Sequence, residues 1–277
     1  MVSAFRAFFL LFLGLALVAC TTTNTSPPTS ASADASQKNL QPASRPQLQP
    51  TPVTPRAQAE AHTALAMGYY ERGQFNVALE ELGNAQKIDS NYAMIYNGYG
   101  LVYSYMKEDA KASFNFQRAL ELDPDNSEIH HNWGWFLCTS GRARESLAEF
   151  DRVARDPLYK MPEVALTNAG RCALSLNDKA AARQYLQRAL TAKPGYAQAA
   201  YSLAELGYGE GTLEEARALM QIVMQNPTPA ADALFLGACI ERKMGDKKAE
   251  DSYILQLKNR YPNADQTKRI VTPGSCP

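Results

Sequence analysis

Between residues 59 and 264 the chain repeats itself every 34 residues, and the spacing dictates paired helices. Residues 93–126 place Tyr96, Tyr99, Gly100, Tyr103, Ala112, Phe116, Ala119 and Pro124 at positions 4, 7, 8, 11, 20, 24, 27 and 32 of the unit. One period earlier, residues 59–92 place His62, Leu65, Ala66, Tyr69, Ala78, Leu82 and Ala85 at the same positions up to 27. Gly73 stands between the two halves, and Ser90 replaces the proline. Residues 127–160 supply His130, Trp133, Gly134, Leu137, Gly141 and Phe150, after which two extra residues shift the frame. Residues 163–196 supply Leu166, Gly170, Ala173, Ala182, Leu186, Ala189 and Pro194. Two weaker units follow: 197–230 with Leu203, Ala204, Gly211, Ala216 and Met220, and 231–264 with Leu234, Gly237, Gly245 and Pro262 and an apparent one-residue deletion.

The pattern is that of the tetratricopeptide repeat, and it has a physical cause. Positions 8, 20 and 27 are small because helices approach most closely there, and positions 4, 7, 11 and 24 are large to fill what remains. One hairpin cannot bury its apolar face alone, so successive hairpins stack. The predicted fold is all-α: a superhelical solenoid of about six helical hairpins over 56–264, right-handed, its concave surface lined by the first helix of each repeat.

The N-terminus reads differently. Ala7 to Ala19 is an uncharged apolar run behind Arg6, the layout of an export signal, and it is shorter than the roughly 20 residues that span a bilayer. It ends Leu17-Val18-Ala19-Cys20, which resembles the lipobox of bacterial lipoproteins. The resemblance implies a signal peptide over 1–19, acylation of Cys20 and a lipid anchor. A plain signal peptide with a coincidental cysteine is the other reading. Thr21, not an aspartate, follows the cysteine, which by the same resemblance favours the periplasmic face of the outer membrane. From Cys20 to residue 55 the composition is Thr, Ser, Pro, Ala, Gln and Asn, too polar to offset the entropy of ordering. That tether would have a mean reach of roughly 30 Å and a maximum of about 100 Å. Residues 265–277 form a C-terminal tail.

With 28 basic and 28 acidic residues, the chain has no excess charge to attract nucleic acid. Catalytic signals are also missing. His62 and His130 fall on a packing position, and His131 points about 100° away from His130 around a helix, so they do not read as a metal site. Gly207, Gly209 and Gly211 resemble a fragment of a phosphate loop, yet no strand precedes them and no Lys-Ser or Lys-Thr follows; they read as the turn of the fifth hairpin. No nucleophile elbow or paired-His zinc motif occurs. The expected function is binding, without enzymatic activity, cofactor or metal, by a chain acting as a monomer.

Positions 2, 5, 9, 12 and 13 of the first helices tend to face the concave side of such a solenoid. Candidate groove residues are therefore Tyr70, Asn97, Leu101, Tyr105, His131, Trp135 and Arg171, together with Met67, Thr167, Leu174, Tyr201 and Tyr208. The carboxylate clamp of some tetratricopeptide domains needs Lys at position 5 and Asn at 9. Thr63 with Met67 and Asn97 with Leu101 stand there instead. An aromatic and apolar groove suits an amphipathic helix or an extended peptide. Trp135, with Tyr105 and Arg171 beside it, is the expected anchor, although each of these aromatics could equally be packed against a neighbouring repeat.

The segments His131-Asn132-Trp133-Gly134-Trp135-Phe136-Leu137-Cys138, Asp156-Pro157-Leu158-Tyr159 and Ala165-Leu166-Thr167-Asn168-Ala169-Gly170-Arg171-Cys172-Ala173 carry a narrower likeness. The chain resembles the type IV pilus biogenesis lipoproteins known as pilotins. The resemblance implies a protein at the inner leaflet of the outer membrane whose partner is the pilus secretin, helping its subunits localise and form their multimeric ring. The long Pro/Thr-rich tether and the ending Gly274-Ser275-Cys276-Pro277 depart from that family. A general tetratricopeptide lipoprotein adaptor, for instance one recruiting peptidoglycan synthases or hydrolases, is the alternative. Once Cys20 is acylated four thiols remain, an even number in an oxidising compartment. Cys138 and Cys172 lie on adjacent first helices and the resembled family carries cysteines at both places, so a disulfide is expected there, the alternative being two buried free thiols. Cys239 with Cys276 is a candidate second bridge.

Overall fold

The computed structural model of the protein describes residues 53–272, 274 and 276. The signal peptide, Cys20 with its lipidation and nearly all of the tether lie outside the described residues. The rest is an all-helical tetratricopeptide-repeat solenoid, with thirteen helices and no strand among the described residues. Its hairpins are α1 (Pro55–Glu71) with α2 (Phe75–Ile88), α3 (Ala93–Tyr105) with α4 (Asp109–Leu122), and α5 (Ser127–Thr139) with α6 (Ala143–Arg155). They continue with α7 (Pro162–Ser175) and α8 (Lys179–Ala192), α9 (Ala197–Glu210) and α10 (Leu213–Val223), and α11 (Ala231–Met244) and α12 (Lys247–Arg260), then α13 (Asp265–Ile270). The chain enters α1 through Thr54, whose hydroxyl accepts from the Ala57 amide, with Pro55 in the first turn where its missing N–H has no consequence.

All six hairpins turn on one backbone conformation at repeat position 15. Gly73, Lys107, Gly141, Asn177, Gly211 and Gly245 have φ between 57° and 86°, the left-handed region that ends a helix and reverses the chain. Position 15 is therefore the structural reason for four of the glycines; Asn177 is the residue that tolerates it next best, and Lys107 occupies it against preference. Of the three glycines read as the fifth turn only Gly211 is there; Gly207 and Gly209 are inside α9, where the helix continues because neither takes a positive φ.

The small positions have the predicted cause. A Cβ on Gly100 would lie 2.7 Å from the Phe116 ring and one on Gly170 would lie 2.7 Å from Leu186, so position 8 touches position 24 of its own hairpin. Leu82, Phe116, Phe150 and Leu186, all at position 24, are fully buried, as are Ala78, Ala112, Ala182 and Ala216 at position 20. Leu65, at position 7 of the first repeat, is 46% exposed, because that position packs on a preceding hairpin and no helix precedes α1 among the described residues. At the other end the tail is structured: α13 packs on α11 and α12 and buries Thr267 and Ile270. Arg242 bonds the Ile270 carbonyl at 2.7 Å, and Cys239 is joined to Cys276.

Neighbouring first helices approach closely along the whole series from α1 to α11, whereas the second helices stand further apart and meet only through long side chains, as where Tyr185 and Arg188 of α8 reach Asp151 of α6 and Arg183 of α8 reaches Glu215 of α10. Closer approach on one side makes the stack curve, with the first helices inside. That inner surface is the candidate site.

Candidate functional site: the concave face of the first helices

Cross-repeat hydrogen bonds tie the middle of this surface together. Asn132 donates from Nδ2 to Oδ1 of Asn97 at 3.2 Å, and Asn168 donates from Nδ2 to Nε2 of His131 at 3.0 Å. In both pairs position 6 of one repeat reaches back to position 5 of the repeat before. A ring accepting at Nε2 carries its proton on Nδ1, and that nitrogen faces the hydroxyl of Tyr159. Burial holds the His131 pKa below its ordinary value, so the imidazole is neutral. Burial, with Glu128 and Glu163 adding, pushes the Tyr159 hydroxyl up to about 12, so it too stays uncharged. Tyr159 stands in the connection between α6 and α7, which the two extra residues lengthen, and that connection places it against α5.

His130, one residue from His131, does different work on the other side of α5. Its Nδ1 meets Glu149 of α6 and its Nε2 the Pro124 carbonyl at 2.8 Å, and His62 pairs with Glu81 at 2.6 Å in the equivalent place of the first repeat. Burial alone would lower the His130 pKa, but the bonds to Glu149 and Pro124 outweigh it and raise it. Position 4 with position 23 is thus a recurring polar staple within a hairpin. Among the described residues no group of His, Cys, Asp and Glu is placed to hold a metal.

Trp135 is half-buried. One side of its ring rests on the cluster around Phe150, Ala165, Ala169 and Cys172, and the Arg171 guanidinium lies over it at 5.3 Å from the ring centre. The structure therefore brings Arg171 to Trp135 as expected, but not Tyr105. Tyr105, 62% exposed, packs with its ring centre 4.5 Å from that of Phe75, tilted by 34°, and meets Tyr70 edge-on at 6.2 Å, forming a separate aromatic knot at the mouth of the first hairpin. Position 13 is the last residue of α3, one turn past Leu101, and that distance along the helix carries Tyr105 away from the α5–α7 centre. Leu101 packs beside Phe116, Trp133 and Phe136. Asn97 is on the expected side of α3 but only 2% exposed, its amide spent on Asn132; Tyr208 is likewise buried. Cys138 and Cys172 are joined, with Cα atoms 5.7 Å apart, linking α5 to α7 beside Trp135.

Thr167, Arg171, Leu174 and Tyr201 converge on a pocket of about 560 Å³ between α7, α9 and α11. Ser202, Glu205, Val223, Asn226 and Asp232 complete its wall. It opens here because α10 stops a turn earlier than α4, α8 or α12: Pro227 and Pro229 forbid the helix from continuing, and the loop they form becomes one side of the cavity. Glu205, Asp232, Ser202, Asn132 and Asn168 are absent from the sequence-derived set of groove residues. For the two asparagines a signal existed, since both stand at position 6 immediately after the position-5 residues they bond.

The solenoid matches the tetratricopeptide repeat models over residues 93–126, 132–197 and 167–232. The chain is 27% identical over 205 residues to the type IV pilus assembly protein PilF of Pseudomonas aeruginosa, covering 74% of this chain and 81% of that one. A solved structure of Pseudomonas aeruginosa PilF superimposes with a TM-score of 0.69 at 26% identity, covering 77% of this chain and 96% of the other. The crystal structure of PilW, described as a widely conserved type IV pilus biogenesis factor, superimposes with a TM-score of 0.70 at 31% identity, over 77% of this chain and 98% of PilW. With PilW matched nearly end to end at that identity, this chain belongs to the PilF/PilW family of tetratricopeptide-repeat type IV pilus biogenesis proteins.

Proposed function

We propose that the protein is a pilotin: an outer-membrane lipoprotein, anchored at Cys20 on the periplasmic face, that binds secretin subunits in its concave groove and promotes their localisation and multimerisation during type IV pilus biogenesis. The observation that carries this reading is the nearly complete coverage of PilW, because the shared length includes hairpin after hairpin and not one repeat alone. The groove geometry supports it. Trp135 is held from below by packing and from above by Arg171, and the disulfide and asparagine bonds fix the helices on either side. A rigid aromatic anchor loses little conformational freedom on binding, which is where affinity for a peptide segment is otherwise spent. A long tether would let the groove meet subunits away from the membrane surface.

Deletion of the gene should deplete heat-resistant secretin multimers from the outer membrane, with monomer mislocalised or degraded and surface pili lost in consequence. Normal multimers and normal pili in the deletion strain would remove this reading and leave a general adaptor role. Exchange of Cys20 for Ser should release the protein from the outer-membrane fraction. Continued fractionation there in a strain without secretin would refute the lipid anchor.

A further inference from the structure

The polar ladder of the concave face ends where the pocket begins. Asn97 bonds Asn132 and His131 bonds Asn168, but the next step, Thr167 to Ser202, is empty. Thr167 turns its hydroxyl onto the Glu163 carbonyl at 2.7 Å, and both side chains are too short to meet. Ser202 is left 8% exposed on the wall of the cavity, its hydroxyl without a hydrogen-bond partner among the described residues. A buried hydroxyl in that condition destabilises the site unless something supplies the missing bond.

The pocket's charge says what could supply it. Glu205 on α9 and Asp232 in the first turn of α11 both line it, against one cation, Arg171, whose guanidinium face is occupied by Trp135. Burial and the nearby Asp232 raise the Glu205 pKa and Arg171 offsets this only in part, so the two carboxylates are not matched by the one cation. Asp232 is oriented by Gln266 of α13, which donates to it at 2.6 Å. Leu174, Tyr201 and Ala233 provide an apolar path to these groups.

We infer that this pocket takes an arginine or lysine side chain from the bound protein segment, its apolar stem along Leu174 and Tyr201, its cation between Glu205 and Asp232, and one of its N–H groups donating to Ser202 Oγ. The inference rests on the reading that the groove binds a protein segment, and it names a chemical requirement on that segment: a basic residue set to one side of the residue that meets Trp135.

The test uses the mature full chain and two blocked probes, acetyl-Ala-Leu-Arg-Leu-Ala-amide and its analogue with Gln at the centre, titrated against the isotope-labelled protein by NMR. The Arg probe should bind roughly ten-fold more tightly, shift the amides of Tyr201 and Glu205, and lose its advantage in Glu205→Gln/Asp232→Asn and at high salt. Equal affinity of the two probes, shifts confined to other hairpins, or a preference that survives the double substitution would each overturn it. Secretin capture by the wild-type protein without any Arg preference removes this inference and leaves the pilotin reading. Arg preference without secretin capture does the reverse.

Discussion

Lys107 occupies a left-handed turn that its five counterparts mostly fill with glycine, and Lys107→Gly should stabilise the protein. Its φ is 62°, and a residue with a Cβ there is strained by about 1–2 kcal/mol. Glycine relieves that strain but adds back about 0.5–1 kcal/mol of unfolded-chain entropy, leaving a net gain centred on about 0.75 kcal/mol. The turn itself is unaffected, because the amide at 107 still donates to the Ser104 carbonyl, 3.1 Å away. For a domain of this size the midpoint of thermal unfolding should rise by roughly 1–4 °C. Gly141→Ala is the mirror experiment. Its φ is 86° and a Cβ there would meet nothing within 4 Å, so the change is backbone strain less the unfolded-chain entropy that alanine removes, a net loss centred on about 0.75 kcal/mol. Circular dichroism at the helix band, scanned with temperature on both variants, decides the matter. A Lys107→Gly midpoint at or below wild type, with Gly141→Ala unchanged, would refute the claim that position 15 sets the turn.

Trp135→Ala should weaken secretin capture by more than about 1 kcal/mol, while a half-buried ring should cost less stability than the roughly 3–5 kcal/mol of a fully buried one. Unfolding and a pulldown on the same variant separate the two, and unimpaired capture counts against the groove. Peptide mapping without reduction should find Cys138 linked to Cys172 and Cys239 to Cys276. Each loop of 34 or 37 residues is worth about 4 kcal/mol in the chain-entropy model, and free alkylation of all four cysteines would end the idea. The adjacent histidines should titrate stability in opposite directions. The raised pKa of His130 gives stability that is complete below pH ~6.5 and is lost as pH rises through the folded value. The lowered pKa of His131 costs stability as pH falls below ~6.5. Denaturant melts of His130→Gln and His131→Gln between mildly acid and mildly alkaline pH should therefore change slope with opposite sign; equal slopes would show that neither histidine is coupled to folding as described.

The hairpins were legible because their constraints are hard and local. Gly100 against Phe116, or Gly170 against Leu186, leaves no choice of residue, and the same exclusion recurs each period. The groove was legible only as a direction. Position 5 told which way Asn97 points, but whether it stays accessible depends on Asn132 of the next repeat, and a single period holds no information on that pairing. Position 13 placed Tyr105 at the end of α3, where the neighbour is Phe75 of the first hairpin rather than Trp135. The pocket was least legible of all. Pro227 and Pro229 announce that a helix ends, yet the cavity arises from what that ending uncovers on α7, α9 and α11, where Thr167 and Asp232 line one space from 65 residues apart.

The two halves of the candidate groove have opposite mechanical characters, and the sequence change behind this is small. Between the second and third repeats and between the third and fourth, position 5 of one repeat and position 6 of the next carry side chains long enough to bond across the gap, and a disulfide ties α5 to α7 further along the same helices. Between the fourth and fifth repeats Thr167 and Ser202 are too short to bond, and the cross-link gives way to a cavity. A rigid strip bearing Trp135 would fix where a segment docks, while the open pocket beyond it can select by charge which segment stays. In a fold whose repeats could have been uniform, shortening one pair of side chains and ending one helix early separates positioning from discrimination along a single surface. Thr167→Asn would therefore carry the ladder one step further if its amide reaches Ser202, closing the mouth of the pocket. The Arg probe should then lose its advantage while Trp135-dependent binding survives, and loss of both together would show that the two halves act as one site.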